Sequence, residues 1–124
     1  MKSYTDLEQS KKLVEILPLE SADMRYHTIS HYNPYPCDEI VYTVEFGKAS
    51  GIDIPCWSLV TLLSLIKDKC GYFEFVYLKR TFDGRANWLE DVYRLSTDEY
   101  DVYNKEAVDA CYEMIIKLNE LKIL

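Results

Sequence analysis

The chain holds four cysteines and two histidines, and these carry its sharpest chemistry. His27, His31 and Cys37 stand close together. Imidazole and thiolate suit zinc, with Cys56 or Asp38 as a fourth ligand. The spacing argues against it: ligands four apart align on a helix, not on a strand running into a turn. No two cysteines form a CxxC pair, so neither a redox motif nor a zinc ribbon is indicated. We therefore expect no metal and no cofactor. Cysteine catalysis needs a lowered thiol pKa and a nearby base. Cys56 is the best placed of the four, because it follows Pro55 at what reads as a helix start, where the dipole favours thiolate. Cys111 reads as a small core residue and Cys37 as an exposed turn residue, and no signature links any of them to a histidine. Two of the many carboxylates (Glu90, Asp91, Asp98, Glu99, Asp101) would serve a hydrolase. Asp98-Glu99-Tyr100-Asp101 lacks the alternation and central glycine of a calcium loop. A solvated acidic face is the expectation.

Tyrosine is the compositional outlier, with eleven residues in a chain that is 14% aromatic. Tyrosine gives large contact area at low entropic cost and is enriched at interfaces. Tyr26, Tyr32, Tyr35, Tyr93, Tyr100 and Tyr103 fall in strands or loops. They either cover the outer face of a sheet or form a protein-contact face. Stacking on single-stranded nucleic acid needs rings interleaved with basic charge. Only Phe73, Phe75, Tyr77, Lys79, Arg80 and Arg85 approach that pattern.

The net charge is −7, and its distribution is uneven. From Glu90 onward stand nine acidic residues against Arg94, Lys105, Lys117 and Lys122, which gives −5. Such a chain does not track a phosphate backbone, so nucleic acid is not the expected partner; the charge suits solubility, or meeting a basic partner surface. The 124 residues suffice for a single domain with one core. No apolar run is long enough to span a membrane. The polar start MKSYTDLEQSKK lacks the apolar stretch of a signal peptide, so a cytoplasmic location with reduced cysteines is expected.

The elements that must position these residues follow from local signals. Thr5 and Glu8 read as a capping box, with Leu7, Leu13, Val14 and Leu17 on one side and Pro18 closing the helix. Strands are expected over about 24–30 and 39–46, with a proline-containing turn between them. Pro55 opens a second helix whose apolar surface is Leu59, Val60, Leu62, Leu63 and Ile66, and Cys70-Gly71 ends it. A hairpin runs from Tyr72 to Phe82, turns at Asp83-Gly84 and returns over Ala86 to Leu95. Residues 96–104 form an acidic connection, with Asn104 capping the last helix. In that helix Glu106, Asp109, Glu113, Lys117 and Glu120 occupy one narrow stripe. The rest of its circumference is largely apolar, so it is either clasped on several sides or shared with a partner. The expected fold is α+β in the order α-ββ-α-ββ-α, with about four antiparallel strands and three helices packed mainly on one face.

Three stretches look familiar together: Tyr4 to Pro18, Ile54 to Leu63 and Val108 to Leu121. The chain resembles small uncharacterised proteins encoded in the prophages and mobile elements of gut anaerobic bacteria. The resemblance covers the three helices, about a third of the chain. It implies a bacterial, cytoplasmic accessory protein of a mobile element, and it carries no activity.

The residues thus point to a non-enzymatic module that binds a protein partner, with a homodimer as one way to satisfy the last helix. The expected contact surface is Trp88, Tyr93, Tyr100, Asp101 and Tyr103. Two alternatives stand beside it. One is a nucleic-acid mimic that occupies a host DNA-binding protein. The other is an enzyme with an unrecognised cysteine or carboxylate site.

Overall fold

The computed structural model describes residues 2–29, 41–79, 81–82, 88–89 and 91–123. Helix α1 (Leu7–Val14) starts one residue later than its sequence signature suggests. Asp6 is the N-cap, and the capping box closes between Asp6 and Gln9, with N–H···O distances of 2.8 and 3.0 Å. Thr5 is not free to cap. It is fully buried; its hydroxyl shares a 2.7 Å hydrogen bond with Ser10 and accepts from the Trp57 amide at 3.2 Å.

Two three-stranded antiparallel sheets follow. The first orders β2 (Val41–Phe46), β1 (Met24–Ile29) and β3 (Ile54–Cys56), with β1 central. The second orders β4 (Glu74–Leu78), β7 (Val92–Ser96) and β8 (Asp101–Asn104), with β7 central. A short ladder of β5 (Thr81–Phe82) on β6 (Trp88–Leu89) keeps the register of the β4–β7 pair, because three steps from Leu78 and Val92 reach Thr81 and Leu89. The second hairpin is therefore one antiparallel arm with an interruption. Its Asp83-Gly84 turn lies outside the described residues.

The α+β class stands, but each half carries one strand more than expected. β3 falls where Pro55 signals a helix start. Pro55 instead sits on an edge strand, where its missing N–H is tolerated. Helix α2 (Leu59–Cys70) starts at the next good cap, Ser58, whose Oγ accepts from the Thr61 amide at 3.3 Å. Gly71, at φ 74°, ends it. Leu62 and Ile66 of α2 are buried, but Val60 points out and is 73% exposed. The second missed strand is β8, read as an acidic connection. Thr97 folds the chain back there: its amide donates to the Tyr100 carbonyl at 2.8 Å, and its hydroxyl accepts from the Glu99 and Tyr100 amides.

Helix α3 (Ala107–Glu120) buries Ala107, Val108, Ala110, Cys111, Met114, Ile115 and Leu118. All but Ala107 join Leu13 and Leu17 near α1, Leu62 and Ile66 of α2, Leu95 of β7 and Val102 of β8 in one core. The inner side of the apolar arc is thus clasped within the chain, whereas Tyr112 and Ile116 are half-buried and Leu121 is 43% exposed. Asn104 does not cap α3 directly; Glu106 is the N-cap, and Asn104 Oδ1 accepts from its amide at 2.9 Å. A second cluster of Met24, Tyr26 and Cys56 lies on the inner face of the first sheet, with Tyr4, Leu7, Tyr42, Val44 and Ile54 packed on it. Among the described residues, no helix is long and apolar enough to cross a membrane.

Candidate functional site

β8 and α3 diverge enough to leave a cleft of about 370 Å³ between them. The Thr97 turn delivers Tyr100, Asp101 and Val102 to one wall. From α3, Tyr112, Ile116 and Glu120 recur every four residues and, with Glu113 and Lys117, form the other wall. The cleft has an apolar floor. Val102 is buried, and the half-buried rings of Tyr100 and Tyr112 pack against the core. Its rim is acidic. Asp101, Glu113 and Glu120 are all exposed, and Lys117 is the single cation among the lining residues. Lys117 stands 3.7 Å from Glu120, and Asn104 Nδ2 donates to Glu113 at 2.8 Å. The lining has no cysteine, histidine or serine, so it offers shape, aromatic surface and negative charge rather than a nucleophile.

Of the contact residues expected from sequence, the structure brings Tyr100 and Asp101 together here. Tyr93 and Tyr103 do not join them. Tyr103 lies further along β8, pairs with Arg94, is 47% exposed and does not line the cleft. Tyr93 lies on the opposite face of the second sheet from Tyr103, stacked on Phe75 at 5.4 Å and tilted against Tyr77 at 5.1 Å. Trp88 belongs to β6, and its side chain lies outside the described residues. Tyr112, Glu113, Ile116 and Glu120 were missed as site residues. Their signal was the four-residue spacing along α3, but without β8 no second wall was visible to place beside it.

The chemical alternatives fare differently. Cys56 is fully buried in β3, before the Ser58 cap, so no helix dipole acts on it. Desolvation raises its pKa, although the hydroxyls of Thr5 and Ser10 pull the other way. Desolvation likewise pushes Cys111 up to about 12. His27 Nδ1 lies 2.8 Å from the Asp53 carboxylate. Cys56 pairs with Met24 across β1–β3, and alternation puts His27 on the other face, away from the thiol. His31, Cys37 and Asp38 lie outside the described residues. Among the described residues, no three His, Cys, Asp or Glu side chains cluster as a metal site. Of the basic candidates for nucleic acid, Lys79 is exposed, whereas Arg80 and Arg85 lie outside the described residues. Tyr26 is not a surface ring. It is buried edge-on between Tyr4 and Tyr42 and donates to the Thr5 carbonyl at 2.7 Å.

A second, larger groove of about 700 Å³ lies beside the first sheet, lined mainly by apolar side chains. Its one charged lining residue, Asp23, is engaged by Ser58, which donates its amide at 2.9 Å and its hydroxyl at 2.6 Å.

Fold and site together describe an α+β protein with an acidic, tyrosine-lined cleft. Comparisons of the chain with models of protein families, with curated proteins and with solved structures find no match.

Proposed function

We propose that the protein is a non-enzymatic interaction module whose β8–α3 cleft takes a basic segment of a partner protein. The observation that supports this most is the rim of Asp101, Glu113 and Glu120 around a floor of Tyr100, Val102, Tyr112 and Ile116, against one lysine. Tyrosine rings supply contact area and a cation–π surface, and the carboxylates select and steer basic charge. A nucleic-acid mimic needs carboxylates spread along a line. Here they ring an apolar cleft, which favours a segment with an apolar anchor between its cations. The resemblance of the three helices suggests the setting, an accessory role for a bacterial mobile element.

The test is a titration with short peptides carrying arginine or lysine on either side of a leucine. Affinity falls steeply with added salt, falls further in Glu113→Lys, and falls in Tyr112→Ala without loss of the salt dependence. Equal binding of an acidic control peptide rules the reading out.

A further inference from the structure

Phe46 and Val60 are among the most exposed large apolar side chains of the protein, at 77% and 73%, and both line the second groove. Tyr4, Met24, Val44 and Leu59 complete its apolar surface. The groove runs beside β2, which is an edge strand and among the described residues pairs only with β1. The two edges of this sheet differ. β3 carries Pro55, and the chain beyond it is covered by the N-terminal segment, through the Tyr4–Ser58 bridge and the Thr5 amide donating to the Trp57 carbonyl at 2.9 Å. β2 reads Val-Tyr-Thr-Val-Glu-Phe, without the proline, glycine or lysine that blunts a strand edge.

We propose that a second copy of this chain covers this edge, pairing β2 with β2 antiparallel about a twofold axis at Val44. Charge and side-chain register select the second copy as occupant. In this pairing Val44 faces Val44 of the second copy, Tyr42 faces Phe46, and Thr43 faces Glu45. No like charges oppose each other directly across the seam. The one carboxylate on β2, Glu45, already holds the Arg25 guanidinium at 2.9 Å and gains a hydroxyl opposite it. Asp23 is the one charged residue lining the groove and Ser58 already engages it, so the groove offers little to select a charged partner. Phe46 of each copy then leaves solvent, and the two sheets become one, in the order β3-β1-β2-β2-β1-β3. The buried side of α3 takes no part, since the chain's own core already covers it.

Light scattering over a concentration series, with amide exchange on the same samples, tests the pairing. The wild type rises toward twice the 14.6 kDa chain mass, and exchange over Val41–Phe46 slows as concentration rises. Phe46→Glu, at a position already exposed, keeps the wild-type circular dichroism and stays at one chain mass. A wild type that remains at 14.6 kDa at the highest concentration overturns the proposal. So does exchange over β2 that ignores concentration, and so does a Phe46→Glu dimer.

Discussion

Tyr103 pairs with Arg94 across the β7–β8 ladder while Tyr93 pairs with Asn104, so Tyr93 and Tyr103 project from opposite faces of one sheet. Their roles differ accordingly. Tyr93 packs between Phe75 and Tyr77, and Tyr103 stands largely in solvent. Tyr93→Ala is expected to cost about 1–3 kcal/mol and Tyr103→Ala less than about 0.5 kcal/mol. Urea midpoints at a constant slope measure both. Equal losses would contradict the assignment of faces.

The thiols report burial. Cys56 and Cys111 are fully buried with raised pKa values, and Cys70 is half-buried. A mild thiol reagent at neutral pH is expected to label Cys70 well before Cys56 or Cys111, which react only as the fold opens. Site-resolved mass spectrometry of a labelling time course reads the order. A fast Cys56 would revive a cysteine enzyme.

Asp23 ties the start of β1 to the cap of α2. Burial alone would raise its pKa, but the Ser58 hydroxyl and amide outweigh that and hold it below the ordinary 3.8. The sign follows from linkage: a depressed carboxyl stabilises the fold above its unfolded pKa, and that contribution is lost as pH falls through the lower folded value. Acid unfolding of the wild type should therefore steepen below about pH 3.8. Asp23→Asn should lose stability at neutral pH, by about 1–3 kcal/mol, and flatten this part of the acid limb. A variant with an unchanged acid limb would show that the Ser58 contacts do not stabilise the carboxylate.

The C-terminal end of α3 is closed without glycine. Lys122 adopts φ 60°, its amide donates to the Asn119 carbonyl at 3.0 Å, and the Ile123 amide reaches the Leu118 carbonyl at 2.9 Å. Ile123 then packs on the core, as the Schellman motif favours. Lysine is strained in this conformation, so Lys122→Gly should raise stability by about 0.5–1 kcal/mol. A lower melting temperature in Lys122→Gly would mean that the lysine side chain contributes contacts that outweigh the strain.

The α+β class and the two long helices with strong apolar periodicity were legible in the sequence, because burial of one face imposes that pattern on α2 and α3. The second hairpin was legible too, through its run of aromatic and branched residues. The two short strands were not. Ile54–Cys56 contains a proline that mimics a helix start, and Asp101–Asn104 carries charge on its exposed side and only one buried residue, Val102. Missing β8 cost most, since it forms one wall of the cleft. Tyr100 and Asp101 were legible from the tyrosine excess and from their place in a stretch that reads as an acidic connection. Tyr112 and Glu113 were visible only as parts of a helix whose neighbour had not been read. The one-residue slip at the first cap has the same origin: whether Thr5 or Asp6 caps depends on Ser10 and Trp57, which lie beyond any local signal.

The central claim is that the acidic cleft between β8 and α3 is the contact surface. The most direct measurement is an amide chemical-shift titration with the arginine–leucine–arginine class of peptide at low salt. The account predicts shifts concentrated at Tyr100, Asp101, Tyr112, Glu113 and Ile116, reversed by added salt and absent in Glu113→Lys. Shifts centred on Phe46 and Val60 instead, or none anywhere on the protein, would contradict it.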